Sequence, residues 1–308
     1  MRELVRDLAL ALREQALPLL GSQSARAHSP DSAAGGDVSF AIDTAAERAL
    51  ERFLAERAPE LAVYSEHQGL VMPTGGAGEA PIVLVVDPID GTRPALAGLE
   101  SCCVSVAAAA LNDQTRMADV SVACVVEIPS GAVFLAQRGR GLLEAPPVRL
   151  SANERIDRMF WAYGFRGRPA RATAEVLAEL IDASSVGGAT FELGSAAFDM
   201  TRVLTGQLDA YVEPGPRMVE DVPGMRAQFE RVGGGAILNN SPYDLAAAAL
   251  CLEEGGAIVT DAYGRPLSER PLLGSDPEFQ ISVVASANAT LHGRVLDEIE
   301  AGMARLSG

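Results

Sequence analysis

Val83-Leu84-Val85-Val86-Asp87-Pro88-Ile89-Asp90-Gly91-Thr92 is the stretch on which the fold turns. Four consecutive branched apolar residues suit a strand covered on both faces, as in a sheet with helices on either side. That strand delivers two carboxylates into a turn. Pro88 fixes the backbone and Gly91 permits a tight bend, so Asp87, Asp90 and the Ile89 carbonyl can converge, while the amides of Gly91 and Thr92 open a following helix. An oxygen-only donor set with no His or Cys suits a hard cation such as Mg²⁺. Taken alone, an Asp-x-x-Asp reads more often as a helix cap than as a metal site.

Upstream, a strand is predicted over 61–64, ending at Ser65-Glu66, with a Gly-rich loop holding Pro73, Gly75, Gly76 and Gly78 between it and the central strand. A helix capped by Asp43 or Thr44 runs to Pro59, after a flexible Ser/Ala/Gly-rich loop over 21–36. Leu4, Val5, Leu8 and Leu12 interleaved with Arg2, Glu3, Arg6, Asp7 and Arg13 make the N-terminus an amphipathic helix rather than an export signal.

Downstream, strands over 101–111, 117–128 and 132–136 read as a meander. The second half alternates: strands near 160–163, 208–212, 257–260 and 281–285, and helices over 169–181, after Gly194, over 242–254 and at the end. The class is therefore layered α/β, with an N-terminal half (1–150) and a C-terminal half (151–308).

Composition narrows the function. The 308 residues are 48% hydrophobic with a formal charge of −16, which disfavours a nucleic-acid partner. No run is long enough for a membrane span. All 25 basic residues are arginine, excluding lysine Schiff-base and P-loop lysine chemistry. Cys102, Cys103, Cys124 and Cys251 lie in apolar runs without metal-ligand spacing, as expected of reduced core thiols in a cytoplasmic protein.

The hexapeptide Asp87-Pro88-Ile89-Asp90-Gly91-Thr92 resembles the signature of the inositol monophosphatase family, which includes fructose-1,6-bisphosphatases and bisphosphate nucleotidases. The resemblance runs from about Asp37 onward. It takes in Val38 to Asp43, Ser65-Glu66, Gln137 to Gly141, Gly194-Ser195-Ala196-Ala197, Gly206 to Glu213 and Tyr243-Asp244-Leu245-Ala246-Ala247. Departures are His67 where a second acid is common, Arg93-Pro94-Ala95-Leu96 after Thr92, Tyr243 in place of Trp, and a long stretch between Glu213 and Asp244.

The resemblance implies an α/β/α/β/α sandwich, commonly a homodimer, that hydrolyses a small phosphorylated metabolite with two or three Mg²⁺ per site and is lithium-sensitive. It implies that Glu66, Asp87, the Ile89 carbonyl, Asp90 and Asp244 ligate metal, and that Glu66, Thr92 and Asp43 orient the attacking water. Gly91, Thr92, Gly194, Ser195, Ala196 and Glu213 would meet substrate, and Arg93 is a further candidate for the phosphate. Two alternatives stay open: a bisphosphatase or bisphosphate nucleotidase, and a silent member that only binds a phosphate metabolite or a protein.

Overall fold

The computed structural model describes the chain apart from residues 33–35, 37, 74–80, 275 and 308 and the side chains of 30–32. Gly75, Gly76 and Gly78 of the predicted Gly-rich loop, and Asp37, lie outside the described residues.

In chain order the first half comprises α1 (Arg2–Ala16), β1 (His28–Ser32), β2 (Val38–Phe40), α2 (Ala41–Arg57), β3 (Ala62–Ser65), β4 (Gly69–Val71), β5 (Ile82–Asp90), α3 (Thr92–Ala97), β6 (Cys103–Ala110), β7 (Val120–Glu127), β8 (Val133–Gln137) and β9 (Gly141–Glu144). The second comprises β10 (Phe160–Tyr163), α4 (Ala170–Gly187), β11 (Ala189–Phe191), α5 (Ala196–Thr205), β12 (Ala210–Glu213), α6 (Gly215–Asp221), α7 (Met225–Val232), α8 (Pro242–Glu254), β13 (Ile258–Thr260), β14 (Val283–Ser286) and α9 (Ala289–Ser307).

The order β4-β3-β5-β6-β7-β8-β9 makes a seven-stranded sheet, and β11-β10-β12-β14-β13 a five-stranded one. Alternation along the strands sorts residues to the two faces. On the larger sheet Leu84, Val86, Val104, Val106, Cys124 and Val126 face a core shared with α1 and α2. Val83, Val85, Ala107, Ala109, Ala123 and Val125 face a second core filled by α5 and α8. A third core lies between the smaller sheet and α4 and α9. The result is the α/β/α/β/α sandwich.

Helix α8 is apolar all round, with Leu245 to Leu252 buried without interruption, as a helix enclosed between two sheets must be. Its alanines meet Ala107, Ala109, Ala123 and Ala136 on the sheet, so the backbones approach closely. All four cysteines are buried and free of disulfides.

Several expectations need correction. Part of the predicted 21–36 loop is strand β1, paired antiparallel with β2, with the His28 and Phe40 rings edge to face at 5.1 Å. Helix α2 begins at Ala41, so Asp43 caps it from the third helical position, its side chain accepting the Phe40 N–H, and Thr44 lies one residue further in. Helix α4 continues six residues past Ile181. There Ser184 donates to the Leu180 carbonyl at 2.8 Å and accepts from the Trp161 indole at 3.0 Å, satisfying inside the core a residue that reads as a breaker.

Candidate active site

Asp87 and Asp90 are three residues apart, so a regular strand would send them to opposite faces. The register of β5 against β6 shifts between them: Asp87 lies opposite Ser105 and Asp90 opposite Cys103, three residues on β5 against two on β6. This bulge, between Asp87 and Asp90, brings both carboxylates to the face that looks toward α5 and α8. Gly91 then turns at φ +90, where a Cβ would stand 2.7 Å from the Ser101 carbonyl oxygen.

Helix α8 supplies the third acid. Asp244 is in its first turn and accepts the Ser241 N–H at 2.6 Å. Helix α5 supplies the clamp on Asp90, whose Oδ2 accepts from Ser195 Oγ at 2.7 Å and the Ala197 N–H at 2.6 Å. Asp87 Oδ1 accepts the Ile89 N–H at 3.0 Å. One carboxylate oxygen from each of Asp87, Asp90 and Asp244 lies within 4.8 Å of the others, and Glu66, just past β3, lines the same cavity.

Such crowding of like charges is costly. Burial first, then Glu66, Asp90 and Asp244, push the Asp87 carboxyl well above its usual range. Burial raises Asp90 to about 6 against its four hydrogen-bond donors, and burial with Asp90 raises Asp244 to about 7. No ion pair among the described residues involves these three acids. Oxygen donors only, mutually repelling and held by backbone, fit a hard divalent cation and little else.

The other expected residues divide. Gly91, Thr92, Arg93, Gly194, Ser195 and Ala196 line the cavity. Asp43 does not; its Oδ2 accepts the Phe40 N–H at 2.8 Å and its Oδ1 lies 3.1 Å from Thr92 Oγ1, so it stands behind Thr92. Arg93 lies 5.1 Å over the Phe40 ring. Glu213 is fully buried and absent from the cavity wall. It pairs with the buried Arg168, which does line the cavity, and accepts the Gly215 N–H at 2.7 Å.

A profile of the inositol monophosphatase family matches residues 2–304. The chain belongs to the inositol monophosphatase family. A fructose-1,6-bisphosphatase/inositol-1-monophosphatase of Methanothermobacter thermautotrophicus is 25% identical over 92% of this chain and 90% of that one. An inositol-1-monophosphatase of Mycobacterium leprae is 32% identical over 56% of this chain and 58% of its own length. The extragenic suppressor protein suhB of Bartonella henselae has the same fold, with a TM-score of 0.71 over 97% of both chains at 19% identity. Family members are phosphatases, and the acid cluster here can hold a metal.

Sequence reasoning missed Tyr163, Phe165, Arg168, Asp199, Asn239 and Gln280, which line the same cavity. Asn239-Asn240 ahead of Ser241-Pro242 was the one readable signal, two amides at the entry to the helix that carries Asp244. Nothing in the sequence marks Arg168, because its role depends on a partner, Glu213, that is 45 residues away (213 − 168).

Proposed function

We propose that the protein is a Mg²⁺-dependent phosphomonoesterase of a small sugar, cyclitol or nucleotide-like phosphate. The observation that carries this reading is the meeting of Asp87, Asp90 and Asp244, from β5 and α8, at one point beside Glu66. Glu66, Asp87, the Ile89 carbonyl, Asp90 and Asp244 would hold two or three ions. When bound, Mg²⁺ supplies positive charge for the phosphoryl oxygens and the leaving alkoxide and makes water more acidic.

The chain's own groups do the rest. The Thr92 hydroxyl has one proton and two acceptors in reach, Asp43 Oδ1 at 3.1 Å and the Ile89 carbonyl at 3.3 Å. Donation to Asp43 leaves the Ile89 carbonyl free as a ligand and turns the Thr92 lone pairs toward the cavity, where with Glu66 they orient the attacking water. Helix α3 is six residues long and lends only its first amides, so most positive potential at the phosphate comes from the cations. The reading includes a cytoplasmic homodimer and inhibition by lithium. No helix among the described residues is long and apolar enough to cross a membrane.

Phosphate release across sugar, cyclitol and nucleotide monophosphates and bisphosphates, with and without Mg²⁺, tests it. Activity should require Mg²⁺, Asp90→Asn should lose at least about 1,000-fold in kcat/KM, and Thr92→Val about 100-fold. Asp90→Asn turning over normally would end the proposal. A silent binding protein is disfavoured by retention of every acid of the cluster.

A further inference from the structure

Helix α2 carries two buried acids four residues apart, Asp43 and Glu47, a spacing that sets both on one face of the helix. Asp43 stands behind Thr92, one of the two groups that orient the attacking water in the reading above. Glu47 stands behind the other. Its Oε2 accepts from Ser65 Oγ at 3.2 Å and from Gln68 Nε2 at 3.1 Å, so its bonds bracket Glu66 on both sides. Ser65 Oγ in turn accepts the Gln68 N–H at 3.3 Å, which closes the turn on itself as well as tying it to the helix.

The sheet does not hold Glu66 unaided. Strand β3 ends at Ser65, whose partners are Val86 on β5 and Gly69 on β4, and Glu66 opens the turn beyond that last rung. Strand β4 is three residues long, lies at the edge of the sheet and exposes Leu70 and Val71. A pair of strands this short adds little stability. His67 supplies a second anchor: its Nε2 is hydrogen-bonded to the buried Ser39 hydroxyl on β2, and its Nδ1 stands 3.8 Å from Glu47 Oε1. Glu47, Ser65, His67 and Ser39 stand off the cavity wall while Glu66 lines it, so they act on the cavity through Glu66.

Resting on the reading above in which Glu66 ligates a cation, we infer that Glu47 is the positioning residue of Glu66, as Asp43 is of Thr92. One face of α2 thereby sets both water-orienting groups. A carboxylate offers acceptors only, which is what a turn presenting a hydroxyl and a carboxamide N–H requires. Fixing the turn beforehand spares the ion the ordering of its ligand, so the tie should be read out as cation affinity.

Calorimetric titration of the metal-free full-length protein with Mg²⁺ compares the wild type, Glu47→Ala, Glu47→Gln, Glu66→Gln and the double variant Glu47→Ala/Glu66→Gln. Thermal melting checks that each is folded. Glu47→Ala should weaken one ion about 10- to 100-fold and leave any other within about threefold. Glu47→Gln, whose carboxamide oxygen can still accept from Ser65 and Gln68, should recover most of that loss. The double variant should bind no more weakly than Glu66→Gln alone, whereas a general loosening of the fold would weaken every ion and add to the effect of Glu66→Gln. If Glu47→Ala does not fold, Ser65→Ala, which removes one donor, should weaken the same ion about 3- to 10-fold. A wild-type isotherm from folded Glu47→Ala, or from Ser65→Ala in its stead, overturns the assignment alone, and so does a double variant in which the two losses add. A wild type that binds no Mg²⁺ removes the metal reading and this assignment with it.

Discussion

The acid cluster and the rest of the cavity wall are built on opposite plans. At the acid end Asp87, Asp90 and Asp244 each accept a backbone N–H, from Ile89, Ala197 and Ser241, and the elements carrying them are fixed by two sheets and a buried helix. Elsewhere on the cavity wall Asn239, on the stretch between Glu213 and Asp244, and Gln280, on the approach to β14, each keep a side-chain polar atom without a partner in the protein. The first end is organised before any ligand arrives and strained by its own charge. The second is less tied by hydrogen bonds. A common chemistry with a variable substrate needs this division, because the reacting centre must be rigid while the recognition surface is free to differ.

The largest effect that could break this contrast concerns Glu213, which belongs to the wall's foundation. Glu213→Ala would strand Arg168 in the interior and should destabilise the protein by about 3–5 kcal/mol, read as a lowered melting temperature. A raised KM with unchanged melting would instead put Glu213 in direct contact with substrate.

A smaller effect sharpens the acid end. Asp90 and Asp244, at about 6 and about 7 in the folded protein, lie above the ordinary Asp value of 3.8. The folded state therefore holds protons that the unfolded state has released between about pH 4 and 7. Without Mg²⁺, stability should fall as pH rises through that window. Asp244→Asn should flatten the slope and make the metal-free protein more stable at pH 8 by about 1–2 kcal/mol, and denaturant melts across pH would show it. A metal-free protein equally stable at pH 4 and pH 8, with no effect of Asp244→Asn, would mean that the acids are not crowded.

The sequence was informative in proportion to how local each determinant is. The apolar run Val83 to Val86 with its following acids is contiguous, and so is the uniformly apolar helix behind Asp244, so the layered class and the central strand could be read directly. Three-residue strands such as β2, β4 and β11 are too short for alternation to register, and their pairing comes from backbone partners elsewhere in the chain. Helices α6 and α7 lie in the long stretch between Glu213 and Asp244, where Gly and Pro residues obscure any helical period. The bulge between Asp87 and Asp90 that puts both on one face is set by pairing with β6 and has no signature in β5 alone. The surroundings of Glu213 were hidden for a similar reason: position in a motif says where a side chain starts, while Arg168 and Gly215 decide where it ends.

Titration of the metal-free protein with Mg²⁺ by calorimetry, beside Asp90→Asn, is the most direct test of whether these acids form a cation site. The account predicts saturable binding of at least two ions to the wild type and loss of at least one in the variant. Absence of binding to the wild type, or an identical isotherm for Asp90→Asn, would contradict it.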